Sequence, residues 1–412
     1  MKFTLDKRSL HNRGLNMKQF LKEADVQWLE EIWQKIEIKL SAVADRVGDM
    51  IPYTSVDGKF IEIQDYKQVV SRGSVPRAEA GLEWWTNGFW PGLMMIMYDG
   101  TGDEKYLQVA RRNMDRLDEA LEDSAKLHHD VGFMWNISSG ADWRLNGDEE
   151  QHRRLYKATA LLMNRYNPKG EYIRAWDHLW RGQKTNGFAI IDCMMNIPML
   201  YRASEESGDE RYKMVAMSHA DTTMKYHVRP DGSVNHINDY DPINGGLVTN
   251  YPGQGYNGYQ FSSWSRGQSW ALYGFALSYA HTGKQEYLDT AKRVAHYFIA
   301  NVADNDWLPL CDFRAPAEPV VYDSTAGACA ACGLIEIAKH VNELEKKLYI
   351  NAAIKILKAM TDKFCDFNPD TDPLLLMGTE AYGRGEHISI IYGDFFYVEA
   401  IQKLRKDIDF VW

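Results

Sequence analysis

Hydrophobic and polar positions alternate with a helical period along most of this chain, and the periodic runs come in pairs. "YDGTGDEKYLQVARRNM" (98–114), "ASEESGDERYKMVAMSHA" (203–220) and "YAHTGKQEYLDTAKRVAHYF" (279–298) share one layout. A helix stops at a glycine, a short polar turn follows, a tyrosine stands four residues after the glycine, and an alanine-bearing helix begins. Glycine after the last periodic residue is the left-handed stop, and acidic residues behind it favour the next first turn. Weaker copies occur at "RLNGDEEQHRRLYKATALL" (144–162) and "HVNELEKKLYINAAIKILKAM" (340–360). Gly102, Gly147, Gly208 and Gly283 mark four turns, and the fifth falls near residue 345. These five hairpins, with a helix pair near residues 17–97, make six αα units, and period-two strand patterns are few. Such units close into a ring of inner and outer helices. The expected fold is all-α, an (α/α)6 barrel of six helical hairpins. It forms one domain over residues 1–412, with 1–16 as an N-terminal extension. An open α-solenoid scaffold is the competing picture, against which unequal repeat lengths and Trp-rich connections argue. The connections "GADWRLN", "RPDGSVNHINDYDPINGGLVTNYPGQGYNGYQ" and "LCDFRAPAEPVVYDSTAG" are expected to line the mouth of a pocket.

One polar position breaks an apolar run. In "FAIIDCMMNIPML" (188–200), read helically, Asp192, Met195, Asn196 and Met199 share a stripe beside Ile190, Ile191, Met194 and Tyr201. A helix apolar nearly all round is buried. A buried carboxyl must find partners or keep its proton. A carboxyl protonated near neutral pH is what a general acid needs. A structural aspartate bonded to backbone or to an arginine fits the same pattern. Asp130 in "LHHDVGFMW" (127–135) lies about one hairpin earlier and could reach the same end of the ring, or merely cap a turn. His128, His129 and Asp130 are contiguous, so a regular helix or strand cannot turn all three toward one metal; none is expected.

Other candidates follow the same logic. Arg266 and Trp270 in "SWSRGQSWALYGFALSY" (263–279) stand at i and i+4, on one helix face. Such a pair reads carboxylates and sugars, or holds a helix by a cation–π contact. Gln254 in "NYPGQGYNGY" offers an amide to hydroxyls, in a loop lacking the Lys and Ser/Thr of a phosphate loop. His236 in "SVNHIND" is a further ligand candidate. "EWWTNGFWPG" (83–92) gathers Trp84, Trp85 and Trp90 around Asn87 and Gly88, and "RAWDHLWRG" (174–182) adds Trp176 and Trp180. These clusters read as core or as a stacking floor for a pyranose.

Composition narrows the partners. With 13 Trp and 23 Tyr the chain suits flat, half-polar ligands. A net charge of -10 without a basic block argues against nucleic acid. An anionic ligand would need counter-charge inside a pocket. The first twenty residues lack an apolar signal core, and no stretch has the length of a membrane span. Cys193, Cys311, Cys329, Cys332 and Cys365 form an odd set suited to a reducing compartment, and "CAAC" is a lone pair. The expectation is a cytoplasmic protein without cofactor or membrane contact, monomeric or homodimeric.

"WWTNGFWPG", "HHDVGFMW", "RAWD", "NGFAIIDCMMNIPML", "QGY", "SWSRGQSWALYGFALSYAHTG" and "SIIYGDFFYVEAI" follow one another from about residue 80 to the end. In that order they resemble the signatures of the unsaturated glucuronyl hydrolases, glycoside hydrolase family 88. The resemblance implies an (α/α)6 barrel that removes a non-reducing-end 4,5-unsaturated glucuronic acid from chondroitin- or hyaluronan-type disaccharides. It further implies hydration of the C4=C5 vinyl ether, after which the hemiketal opens and the glycosidic bond falls apart. The carboxylate-separation rule of ordinary glycosidases then does not apply. Asp192 would protonate C4 and activate the water added at C5. Asp130 would bind the C2 and C3 hydroxyls beside it. Trp85, Trp176 and Trp270 would line the sugar, with Asn87, Trp90 and His129 from the same signatures. Arg266, His236 and Gln254 would surround hydroxyls and carboxylate. Arg384 and His387 in "GTEAYGRGEHIS" (378–389) are placed to meet a sulfate. Two alternatives remain. An unsaturated rhamnogalacturonyl hydrolase would do the same chemistry on pectin fragments. A sugar epimerase would need histidines paired on inner helices, and few of the 12 stand so.

Overall fold

The computed structural model describes residues 17–70 and 81–412, so the extension expected over 1–16 lies outside the described residues. Five helical hairpins follow one another: α3 (Phe89–Thr101) with α4 (Glu104–Glu122), α5 (Ser139–Asn146) with α6 (Glu149–Met163), α7 (Pro198–Ser207) with α8 (Glu210–Tyr226), α9 (Ser265–Thr282) with α10 (Gln285–Ala303), and α11 (Ser324–His340) with α12 (Glu343–Phe364). They are preceded by α1 (Glu23–Val47) and the short α2 (Ile63–Val70), and followed by α13 (Ile391–Arg405). Gly102, Gly147, Gly208 and Gly283 end the first four inner helices in the left-handed conformation, as expected. Asp103, Asp148 and Asp209 then cap the next helices through their carboxylates. The fifth turn differs. Extended Val341 ends α11 and Asn342 caps α12, so the slot placed near 345 is already in that helix's first turn.

The sixth unit joins the chain's two ends. α1 packs on α13, and α13 packs on α3, which closes the inner ring α3–α5–α7–α9–α11–α13, the π-helical segment Gly132–Asn136 bridging α5 and α7. The pair expected near 17–97 is therefore replaced by a pairing that no local period could reveal. Inner helices such as α11 are buried continuously from Ser324 to Ala338, as an all-round apolar helix must be. Close approach needs small residues: a Cβ on Gly333 of α11 would lie 2.3 Å from a Leu272 methyl of α9. One apolar cluster runs from Met17 to Trp412.

Two expectations fail locally. "GADWRLN" is no loop but most of buried α5. "FAIIDCMMNIPML" is no single helix. Phe188–Ile190 is the edge strand of an antiparallel sheet with Ile237–Tyr240 in the middle and Leu247–Tyr251 beyond, Ile190 facing Ile237. Ile191–Met195 then turns as a 3-10 helix into α7. The run is apolar because a sheet and an inner helix bury it in succession. Among the described residues no helix is long and apolar enough to cross a membrane.

Candidate active site

The inner helices begin at one end of the ring, around a cavity of about 650 Å³. Trp85 precedes α3, Asp192 precedes α7, Arg266 opens α9 and Tyr392 opens α13, and all four line it. Helix N-termini carry positive partial charge. The starts of α9 and α13 and the side chains of Arg181, Arg266 and Arg384 thus put positive charge on a wall that also carries Asp130, Asp192 and Glu380, local counter-charge in a molecule whose net charge is -10.

Asp192 sits where the strand becomes the 3-10 turn, 9% exposed. Its backbone neighbours Ile191 and Cys193 are buried, but its carboxylate meets the polar cavity wall. His236 stands opposite. Its Nδ1 accepts from the Gln254 backbone N–H at 2.9 Å, so in the neutral ring the hydrogen belongs on Nε2. Nε2 lies 3.4 Å from Asp192 Oδ2. That contact is not aligned as a hydrogen bond, and Oδ2 has no other partner among the described residues. The loop must pass close to make this arrangement. Gly253 has φ +64, and a Cβ there would fall 2.1 Å from His236 Nδ1.

Asp130 is fixed by Asn196, whose Nδ2 donates to Asp130 Oδ1 at 3.0 Å and to the Asp192 carbonyl at 3.1 Å. The Asn196 side-chain oxygen accepts from the Phe133 N–H at 2.9 Å. One amide therefore ties both carboxyl-bearing segments together. Burial pushes the Asp130 carboxyl up, and the charge of Asp192 pushes it further, against His128 and Asn196. His129 lies behind, fully buried, and burial drives its imidazole well below the ordinary range.

Arg266 lines the cavity with both terminal nitrogens spent on the protein, while its Nε has no hydrogen-bond partner among the described residues. Nη1 donates to Asp323 Oδ2 (3.0 Å), the Thr379 carbonyl (2.6 Å) and Thr325 Oγ1 (3.3 Å). Nη2 donates to the Glu380 carbonyl (2.7 Å) and Gln254 Oε1 (3.3 Å). Its guanidinium lies 4.6 Å from the Trp264 ring and 5.1 Å from that of Tyr392. The expected pairing with Trp270 is absent, because Trp270 is wholly buried against Phe133 and Phe396. Arg266 acts as a brace: by holding Gln254 Oε1 it leaves that amide's N–H groups for the cavity.

Trp85, Trp176, His236, Gln254, Arg266 and Arg384 thus stand on the wall with Asp130 and Asp192. Asn87, Trp90, His129 and Trp270 do not. Asn87 is buried with its Nδ2 on the Gly81 and Leu82 carbonyls, and Trp90 packs on Phe60. His387 turns away, its Nε2 accepting from the Tyr322 N–H at 3.0 Å. Of the three long connections, 229–260 does reach the wall through His236, Gly253, Gln254 and Asn257, whereas 310–327 serves it only indirectly, through Asp323. The wall also holds residues the sequence left unmarked. Glu380 accepts from Tyr53 Oη and lies 3.4 Å from Arg384 Nε, and Tyr66 and Arg181 complete the rim. Tyr53 and Tyr66 come from the N-terminal segment beside β-hairpin Thr54–Ile61, which carries no periodic signal.

Comparisons with known proteins point one way. The profile of Glycosyl Hydrolase Family 88 matches residues 54–399. The unsaturated glucuronyl hydrolase of Bacillus sp. (strain GL1) is 36% identical over 337 residues, 80% of this chain and 88% of that protein. The unsaturated chondroitin disaccharide hydrolase of Streptococcus pneumoniae (strain ATCC BAA-255 / R6) is 30% identical over 423 aligned residues, 100% of this chain and 99% of that one. A solved structure of a Streptococcus agalactiae unsaturated glucuronyl hydrolase mutant, complexed with dGlcA-GalNAc6S, superposes with a TM-score of 0.75 at 27% identity, covering 100% of both chains.

Proposed function

The chain belongs to glycosyl hydrolase family 88 and is a glycosidase, and from that premise we propose that it removes a 4,5-unsaturated glucuronic acid from chondroitin- or hyaluronan-type disaccharides. The observation that carries this reading is the joint placement of Asp192, Asp130, His236 and Gln254 on one cavity wall among Trp85, Trp176 and Trp180. A cavity of about 650 Å³ lies in the range that encloses a small ligand. The relatives' names supply the substrate class.

In this reading Asp192 gives a proton to C4 of the vinyl ether and takes one from the water that adds at C5. Carbon accepts protons slowly, so the acid must be held in place. His236, fixed at Nδ1 by the Gln254 backbone, keeps its protonated Nε2 3.4 Å from Asp192 Oδ2, near enough to align with the carboxyl once substrate is bound. Asp130, anchored by Asn196 on Oδ1, keeps Oδ2 for the sugar hydroxyls. The hydrated ring opens as a hemiketal, and the second sugar leaves without attack at the anomeric carbon. Arg384, exposed at the rim, is the group on this wall best placed to meet a sulfate on that second sugar. We take residues 1–412 as one domain acting in the cytoplasm, without cofactor.

The test is a panel of unsaturated disaccharides followed by the ultraviolet absorbance of the conjugated double bond. The reading predicts loss of absorbance with chondroitin or hyaluronan members. Persistent absorbance across linkages and sulfation patterns, with turnover of rhamnogalacturonan fragments instead, would contradict it.

A further inference from the structure

We propose that His128, His129 and Asp130 form a site for one divalent cation of the zinc class, opening on the sugar cavity. One donor atom from each lies within 4.8 Å of the others. Asp130 Oδ2 is 3.3 Å from His128 Nδ1 and 3.4 Å from His129 Nε2. A tetrahedral ion with bonds of about 2.0–2.2 Å sets its ligand atoms about 3.3–3.5 Å apart, the spacing Asp130 Oδ2 has to each imidazole. The two imidazoles, within 4.8 Å, close around the ion by side-chain rotation of the partly exposed His128.

Contiguity forbids such convergence on a helix or strand, but these residues occupy neither. They form the turn before the π-helical segment Gly132–Asn136, with the His129 N–H bound to the Ala175 carbonyl. His129 is fully buried, and neither ring nitrogen has a hydrogen-bond partner among the described residues. An imidazole sealed from water with Nε2 turned toward a carboxylate oxygen is an arrangement a cation completes. The competing donor for His128 Nδ1 is the Asp130 backbone N–H, at a long 3.4 Å. Asn196 orients Asp130 from its other oxygen, the outer support that metal-binding carboxylates commonly have. His128 and Asp130 line the cavity, so the fourth position of the ion faces it, as in sites with three protein ligands. Imidazole and carboxylate without thiolate suit zinc and its neighbours better than calcium or magnesium.

A cation on Asp130 Oδ2 takes the oxygen assigned above to sugar hydroxyls, so metal and sugar exclude each other. That clause rests on the proposed hydrolase reading; the site itself does not.

The experiment titrates chelator-treated full-length protein with Co2+ as a spectroscopic stand-in and then displaces it with Zn2+. The expected result is one equivalent bound, with visible bands of low coordination number and no thiolate charge-transfer band. His128→Gln and His129→Gln should each weaken binding about tenfold or more. His128→Gln, altering a partly exposed side chain, keeps the test open if the buried variant misfolds; circular dichroism and thermal unfolding report on both. No saturable uptake, a thiolate band, or wild-type uptake by His128→Gln would overturn the site. Co2+ should inhibit turnover of an unsaturated chondroitin disaccharide competitively, and turnover unchanged by saturating Co2+ would overturn the exclusion. The titration needs no turnover, so failure of the hydrolase reading would leave the site decided.

Discussion

The two ends of the helical ring treat buried charge in opposite ways. At the far end, near the C-termini of the inner helices, Lys403 Nζ donates to Glu336 Oε2 and Tyr273 Oη, both at 2.8 Å. Tyr273 and the Trp412 indole both donate to Glu399 Oε1, at 2.6 and 2.9 Å. Each charge there meets an opposite charge or a protein donor, although Glu399 Oε2 has no hydrogen-bond partner among the described residues, and Trp412 stacks parallel to Phe396 beside the network. At the cavity end the carboxyls are held through other atoms. Asn196 grips Asp130 by one oxygen, the sheet and the 3-10 turn hold Asp192 by its backbone, and among the described residues Oδ2 of Asp192 is left with only the misaligned His236 contact. In the proposed reading the difference separates a charge that closes a structure, sealed from the cavity, from a charge kept for a substrate. From Tyr392 at the cavity to Glu399 in the network is seven residues of one helix, about 10 Å at 1.5 Å per residue. The two regimes therefore share a scaffold but few partners, and mutations in them should add independently.

The comparison is broken most sharply at Asp192. Asp192→Asn should lower turnover on the order of 10³-fold, the scale of a lost general acid, with thermal unfolding close to wild type. A large stability loss would move Asp192 into the structural class. Lys403→Met should do the reverse. Removing one partner of a buried pair costs about 3–5 kcal/mol, seen in denaturant unfolding, while kcat/KM of the folded fraction stays near wild type.

The pH dependence divides the same way. Burial pushes the Glu336 carboxyl up, but Lys339, Lys403 and His340 bring it well below its ordinary 4.5. A lowered carboxyl contributes stability above its unfolded pKa and loses it as pH falls through the folded one. Glu336→Gln should therefore flatten the decline in stability below about pH 4.5. Asp130 runs oppositely. Its raised carboxyl costs the native state progressively as pH rises above the ordinary 3.8, so Asp130→Asn should be relatively stabilising at neutral pH in the same unfolding measurement.

Smaller effects sharpen the cavity side. Trp176→Ala should raise KM about two- to tenfold, the worth of one aromatic contact, with little change in kcat. Arg384→Ala should change kcat/KM by about fivefold or less, as an exposed charge does, and more for a sulfated than for an unsulfated disaccharide.

Much of this was legible in the sequence because the signals were local. The glycine stops at 102, 147, 208 and 283 and the aspartates behind three of them announce hairpins, since left-handed turns and N-caps are properties of a few adjacent residues. Asp192 stood out as a carboxylate among apolar neighbours, and Asp130 as a second carboxylate after two histidines, about one hairpin earlier. What escaped depended on distance along the chain. The α1–α13 closure joins residues 375 positions apart, Glu30 and Arg405, and the strand at Phe188–Ile190 exists only because Ile237–Tyr240 pairs with it. Trp90, Asn87 and Trp270 share motifs with wall residues yet face the core, because one step of register separates a helix's cavity end from its buried face. Arg266 matched a ligand reader by type, and only its five protein acceptors reveal a brace.

The most direct measurement follows absorbance of the double bond and release of the second sugar together, in wild type and in Asp192→Asn. The account predicts that both signals change at one rate in the wild type and that neither changes in the variant. Sugar released with the double bond intact, or near-normal turnover by Asp192→Asn, would contradict it.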